Sequence, residues 1–193
     1  MIISFPVFAT KKYNGYVKNE IAVFGGGCFW CGEAVFERLQ GVKKATSGYT
    51  GGTKENPTYE QVCGGQTGHV EIIRVEYDPA VVSYEVLLAV FFSTHDPTTL
   101  NRQGNDVGTQ YRSAIFYATE EQKQKAERFI QKLQEEKVYE NPIVTELSPL
   151  KNFYEAESYH QQYYENNKQA SYCQLVINPK LEKLQKQYSH LLK

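Results

Sequence analysis

The chain has 193 residues, 41% of them hydrophobic, with Lys+Arg 21 against Asp+Glu 22 and a formal net charge of -1. That is long enough for one domain with a real core, and the even charge balance favours neither nucleic acid nor an acidic membrane face. No apolar run is long enough to span a bilayer, and the lysines of Met1–Lys12 follow its apolar stretch, so it is no secretory signal; the cytoplasm is the expected compartment.

In chain order, residues 1–20 read as an N-terminal arm without periodicity and 21–193 as a single domain. The apolar run Ile21–Gly25 predicts a buried strand. A triple glycine turn follows, and a helix begins at Cys28 and continues over Glu33–Gln40, with Val35, Phe36 and Leu39 inward and Gly41 as its stop. Lys43–Tyr49 predicts a second strand, and Asn56–Gly65 is rich in turn residues. His69–Tyr77 alternates as a strand, and Ser83 caps a helix through Phe92. His95–Arg112 is a long polar loop, the kind that more often carries function than not. A strand over Ser113–Tyr117 leads to a helix opened by the capping box Thr119-Glu-Glu-Gln122, with Ala126, Phe129, Ile130 and Leu133 inward. Ile143–Leu147 predicts a short strand and Ala156–Tyr164 a tyrosine-rich helix. Asn178-Pro179 caps a last amphipathic helix through Leu181, Leu184, Tyr188 and Leu191. Few strands alternating with helices point to a small α+β sandwich.

Cys28 is the first residue with chemistry in it. At a helix start the free N–H groups favour an anion, so the sequence predicts more thiolate there than on a free cysteine. The chain's single tryptophan, Trp30, and Phe29 place an apolar aromatic pair beside the thiol. Cys31 completes C-x-x-C, the arrangement of dithiol oxidoreductases, so a thioredoxin-type redox module stands as one reading. Zinc is another, but Cys63 and Cys173 stand alone and far apart, and His69, His95 and His160 fit no ligand spacing. Cys63, between Val62 and Gly64, reads as a packing thiol.

Glu71 shares its strand face with Ile73, Val75 and Tyr77. Partial desolvation there favours the neutral acid, which can donate a proton at neutral pH; a solvated strand-edge glutamate is the plainer reading. Tyr59, Asp106, Tyr111 and Tyr172 lie in loop-like segments, and spacing alone does not gather them. The triple glycine lacks both the dinucleotide-binding pattern and the P-loop lysine.

With Gly27-Cys28-Phe29-Trp30, the chain resembles the A-type peptide methionine sulfoxide reductases. Further signatures are Ser47–Gly52, Asn56–Tyr59, Thr67–Glu71, His95–Thr99, Gln103–Ser113 and Tyr159–Gln162, together covering most of the chain from about Ile21 to Cys173. The resemblance implies an α+β fold with a ferredoxin-like core, and an enzyme that reduces methionine-S-sulfoxide, free or in proteins, repairing oxidative damage. It implies Cys28 as nucleophile, Phe29 and Trp30 as the wall for the substrate methyl, and Glu71 as the acid. Tyr59 and Tyr111 would bind the sulfoxide oxygen, Asp106 would organise the substrate-binding pocket, to which Tyr172 also belongs, and Cys173 would resolve the sulfenic acid. No metal or bound cofactor is implied; thioredoxin, or dithiothreitol in vitro, would be the external reductant. Cys31 departs from the family's usual small non-thiol residue, so it stands as the alternative resolving thiol. No cysteine follows Cys173, so a third thiol relay is not expected.

Overall fold

The computed structural model describes residues 18–193. The arm over 1–20 therefore lies outside the described residues except at its end, where Glu20 already belongs to strand β1 (Glu20–Gly25). Helix α1 (Phe29–Phe36) follows, then β2 (Val42–Thr50), a short helix α2 (Tyr59–Cys63), β3 (Val70–Tyr77) and α3 (Tyr84–Thr94). A two-stranded hairpin, β4 (Arg102–Gln103) and β5 (Asp106–Val107), leads through a 3-10 turn at Thr109–Tyr111 to β6 (Ala114–Tyr117) and α4 (Glu120–Glu135). The chain ends in β7 (Glu146–Pro149), β8 (Tyr154–Glu155), α5 (Tyr163–Asn166), a π-helical turn (Cys173–Ile177) and α6 (Asn178–Tyr188).

The main sheet runs β7-β6-β1-β3-β2-β8. Strand β1 pairs antiparallel with both β3 and β6, β2 pairs antiparallel with β3, and only β6–β7 is parallel. Thus β1 and β2 run parallel with β3 between them, as the split strand–helix–strand arrangement requires. The helix-covered face carries Ala22 and Phe24 of β1 and Ile73, Val75 and Tyr77 of β3, packed against Val35 and Phe36 of α1 and the apolar side of α3. The alternate residues Val23, Val70, Ile72, Ala114 and Phe116 form a smaller cluster on the other face, under Leu150 and Phe153. This is the mixed sheet with helices packed on it that the strand and helix periods predict.

Several local expectations need correction. Helix α1 ends at Phe36; Leu39 remains fully buried through a turn that pairs it with Leu192. The strand expected at Ile143–Leu147 sits at Glu146–Pro149, because Val144 N–H bonds to Pro97 outside the sheet and pairing begins only at Ala114–Glu146. The helix expected over Ala156–Tyr164 is broken into a 3-10 turn and α5. Gln161 binds the backbone of Ser47 and Ala156 with its side-chain amide, and Gln162 adopts a φ of 51°. The Gln122 side chain accepts from Ala118 N–H rather than closing a box on Thr119, though the Thr119 hydroxyl does cap α4. Asn178 caps nothing, since α6 continues from the π-helical turn. The Asn56–Gly65 turn region holds α2, whose N-terminus carries a full capping box of Thr58 and Gln61.

Candidate active site

The site is built where β1 hands over to α1. Gly27 has a φ of 89°, and a Cβ there would stand 2.6 Å from the Gln103 side chain, so only glycine fits this left-handed, crowded link. The turn puts Cys28 at the N-cap of α1, half-buried. The neighbouring strand β3 aims Glu71 at the same spot, and Phe29 N–H donates to Glu71 Oε2 at 3.1 Å. Glu71 is only 1% exposed. Its burial outweighs the Phe29 hydrogen bond and, with Asp106 nearby, raises its pKa to about 8. It therefore carries its proton at neutral pH, and the solvated reading is excluded.

That geometry corrects the expected thiolate on Cys28. The first free N–H of the helix is spent on the Glu71 carboxyl, and the Cys28 side chain makes no cap bond to the helix. Burial pushes the Cys28 thiol up, as do Cys31 and Glu71 beside it. Cys31, buried one turn on, is brought down to about 7, chiefly by its hydrogen bond with Cys28. The two sulfurs titrate as a pair, with the lower ionisation on Cys31.

The other side chains singled out from the sequence also converge here. Phe29 is fully buried and Trp30 half-buried, their ring centroids 6.4 Å apart. Tyr59, the first residue of α2, lies 6.5 Å from the Phe29 ring. Its place is fixed by Glu157, which accepts from Tyr59 N–H at 2.9 Å and from the Tyr49 hydroxyl at 2.9 Å. Tyr111 ends the 3-10 turn, and the charges of Glu71, Cys63, Cys28 and Asp106 add to burial in raising its hydroxyl pKa. Burial raises the Tyr59 hydroxyl too, and Cys63 lies beside it. Both hydroxyls stay protonated donors. Asp106 in β5 accepts from the Tyr172 hydroxyl at 2.8 Å, and that hydroxyl lies 3.9 Å from Cys31 Sγ. Cys173, fully buried, packs in one cluster with Cys31, Ala34 and Ile177, with Cys28, Trp30 and Tyr172 against it. All four cysteines are free thiols.

Cys63 is half-buried rather than a core packing residue. Both His69 ring nitrogens are occupied, Nδ1 by Gly52 N–H and Nε2 by the Lys54 carbonyl, so the zinc reading loses its nearest imidazole. Among the described residues no group of three His, Cys, Asp or Glu side chains gathers to hold a metal ion.

Sequence reasoning missed the second wall of the site. Tyr163 stacks on Trp30 with centroids 3.6 Å apart and planes 6° from parallel, and Trp30 Nε1–H donates to His160 Nδ1 at 3.1 Å. His160 touches the rings of Phe29 and Tyr59 as well, at 5.0 and 4.4 Å. The Tyr159–Gln162 signature was the available signal, but its expected helix hid which side chains turn inward. Glu33, fully buried on α1, and Lys180 on α6 carried no signal at all in spacing.

A family model described as peptide methionine sulfoxide reductase matches residues 20–192. The chain belongs to the peptide methionine sulfoxide reductase family. A relative from Chromobacterium violaceum, named peptide methionine sulfoxide reductase MsrA, is 56% identical over 173 residues, covering 90% of this chain and 98% of its own. Among solved structures, reduced Mxr1 from Saccharomyces cerevisiae aligns with a TM-score of 0.74 at 35% identity, covering 84% of this chain and 92% of that one. Mxr1 in complex with Trx2 aligns with a TM-score of 0.53 at 24% identity, over 80% of this chain and 90% of that one, a likeness of fold alone. The chain is thus an oxidoreductase enzyme of this family, and no helix among its described residues is long and apolar enough to cross a membrane.

Proposed function

We propose that the enzyme reduces the S epimer of methionine sulfoxide, free or in proteins, by attack of Cys28 sulfur on the sulfoxide sulfur. The observation that carries this reading is the buried, protonated Glu71 carboxyl docked on Phe29 N–H, one residue from the Cys28 thiol. A sulfoxide sulfur is a poor electrophile until its oxygen gains a proton or strong hydrogen bonds. Glu71 supplies the proton, and the Tyr59 and Tyr111 hydroxyls donate to the same oxygen as charge builds on it. Phe29 and Trp30 hold the methyl group, with Tyr163 and His160 fixing the indole from behind. Fixing methyl, oxygen and lone pair together selects one epimer, and the aromatic pair supplies one of those three restraints.

As the sulfur–sulfur bond forms, Glu71 gives its proton to the sulfoxide oxygen and the Cys28 proton replaces it on the Glu71 carboxylate. Transfer of that hydroxyl to Cys28 then releases methionine and leaves Cys28 as a sulfenic acid, so the sulfoxide is reduced and the thiol oxidised by two electrons. A second thiol displaces water from the sulfenic acid to give a disulfide. Cys173 is the resolving thiol in this reading and Cys31 the alternative; both share the buried cluster beside Cys28. An external dithiol returns the enzyme to its reduced state by exchange, and thioredoxin is the proposed one, in keeping with the Mxr1–Trx2 complex. Repair of oxidised proteins in the cytoplasm is the corresponding role.

An epimer-resolved assay tests the reading. With a racemic methionine sulfoxide peptide and dithiothreitol, consumption should stop when the S epimer is exhausted. Consumption of both epimers, or insulin disulfide reduction without sulfoxide turnover, would replace this function with general dithiol chemistry. Mass spectrometry after one equivalent of sulfoxide separates the resolving thiols. Cys173→Ser should accumulate sulfenic Cys28, whereas a full-strength Cys28–Cys31 disulfide with normal turnover would hand the role to Cys31.

A further inference from the structure

Behind the thiols lies a cavity of about 30 Å³, room for about one water molecule, lined by Cys28, Cys31, Glu71, His95 and Lys180 among others. Lys180 is the one cationic side chain among its described lining residues. His95 is neutral there, its pKa lowered to about 4 by burial, with both ring nitrogens held, by the Phe91 carbonyl and the Ser113 hydroxyl. The same lysine also lines an open surface groove of about 630 Å³, together with Lys183 and Asp96. Lys180 thus borders both the solvent side and the thiol cavity. Among the described residues Lys180, like Lys183, enters none of the ion pairs. The helical run that starts at Cys173 is also the one that carries Lys180, which fixes the lysine to the wall of the dithiol cluster.

We infer that Lys180 is a positioning residue for the thiols: its ammonium is the counter-charge that keeps one sulfur of the Cys28–Cys31 pair ionised inside the closed site. A thiolate enclosed by apolar walls is costly without a cation or donors to meet it. The groups facing the pair are few. Glu71 from β3 is neutral at pH 7, and Asp106 from β5 opposes ionisation while its carboxylate is engaged by the Tyr172 hydroxyl. The Tyr172 hydroxyl spends its proton on Asp106 and lies 3.9 Å from Cys31 Sγ, and Tyr111 and Cys173 bring no positive charge. Among the described residues lining the cavity, Lys180 is the cation that acts favourably on Cys31. The inference rests on the proposed chemistry and extends it by naming what holds the charge on the thiol pair that contains the attacking sulfur, yet its test requires no sulfoxide.

Thiol ionisation is read from the rate of iodoacetamide alkylation at each cysteine, followed by mass spectrometry from about pH 5.5 to 9.5. Lys180→Met should move the first ionisation of the pair upward by about one pH unit, a roughly tenfold loss of thiolate at neutral pH. Lys180→Arg should leave it near the parent value. Lys183→Met, which removes a lysine from the outer groove only, should not move it. Lys180→Gln serves in place of methionine should that side chain disturb α6, with circular dichroism confirming the fold. An unmoved titration in Lys180→Met, or an equal shift in Lys183→Met, overturns the inference. Because the measurement is made on the reduced enzyme without substrate, a failed sulfoxide assay and a failed counter-charge are separate results.

Discussion

Two glutamates, Glu71 on β3 and Glu33 on α1, are both almost fully buried and both raised well above an ordinary carboxyl, to about 8 and about 7. Desolvation is the leading cause for each. Their surroundings differ. Glu71 faces a thiol pair, Asp106 and the start of α1, whereas Glu33 faces the backbone N–H groups of Gln162 and Tyr163 and the Ser47 hydroxyl. A proton held by burial becomes chemistry only where a nucleophile and a substrate space share it. At Glu33 the same physics fastens the segment that carries Tyr163 onto Trp30.

The largest expected effect comes from Glu71→Gln, which keeps the shape and a hydrogen-bond donor but removes the transferable proton. Single-turnover sulfoxide reduction should fall by at least about 100-fold, the lower range for a lost general acid. The sign of the pH dependence follows from the raised pKa. Glu71 is a competent acid below about 8 and loses its proton above it, so kcat/KM of the parent should decline on the alkaline side around that value. The variant should lack that limb. A parent profile flat through pH 9 or so, or single-turnover rates unchanged in the variant, would move the acid elsewhere.

The alternation of β3 already placed Glu71 on the core face, and the glycine turn already placed Cys28 at a helix start; local periodicity was enough for both. The thiolate expectation failed first because burial desolvates the Cys28 thiol, and also because the helix N–H nearest it is taken by a residue 42 positions away in sequence. Long-range competition of that kind leaves no trace in spacing. The same holds for Tyr59, Tyr111, Asp106 and Tyr172, which only the resemblance could gather, since their meeting depends on sheet order and on the hairpin of β4 and β5. The segment after β8 was misread for a related reason. Its composition favours a helix, but the Gln161 side chain claims the Ser47 and Ala156 backbone and forces a break.

Glu33→Gln should have the smaller effect on chemistry and a visible one on stability. The carboxyl touches no reacting group, so sulfoxide turnover should change by no more than about threefold, with KM absorbing most of it through Tyr163 and Trp30. Its folded pKa of about 7 lies above the usual 4.5, so the native state binds this proton more tightly than the unfolded chain does. Its contribution is therefore fully present below about pH 4.5 and lost as pH rises toward and through 7, on the order of 3 kcal/mol at most. Glutamine has no such loss, and its amide can reach the Ser47 hydroxyl, whose oxygen, like Glu33 Oε2, has no hydrogen-bond partner. The melting temperature of the variant should thus rise relative to the parent between about pH 5 and pH 8, the reverse of what removal of a paired surface carboxylate would give. A Glu33→Gln variant as impaired in single turnover as Glu71→Gln would erase the distinction between the two carboxyls and put both inside the reaction.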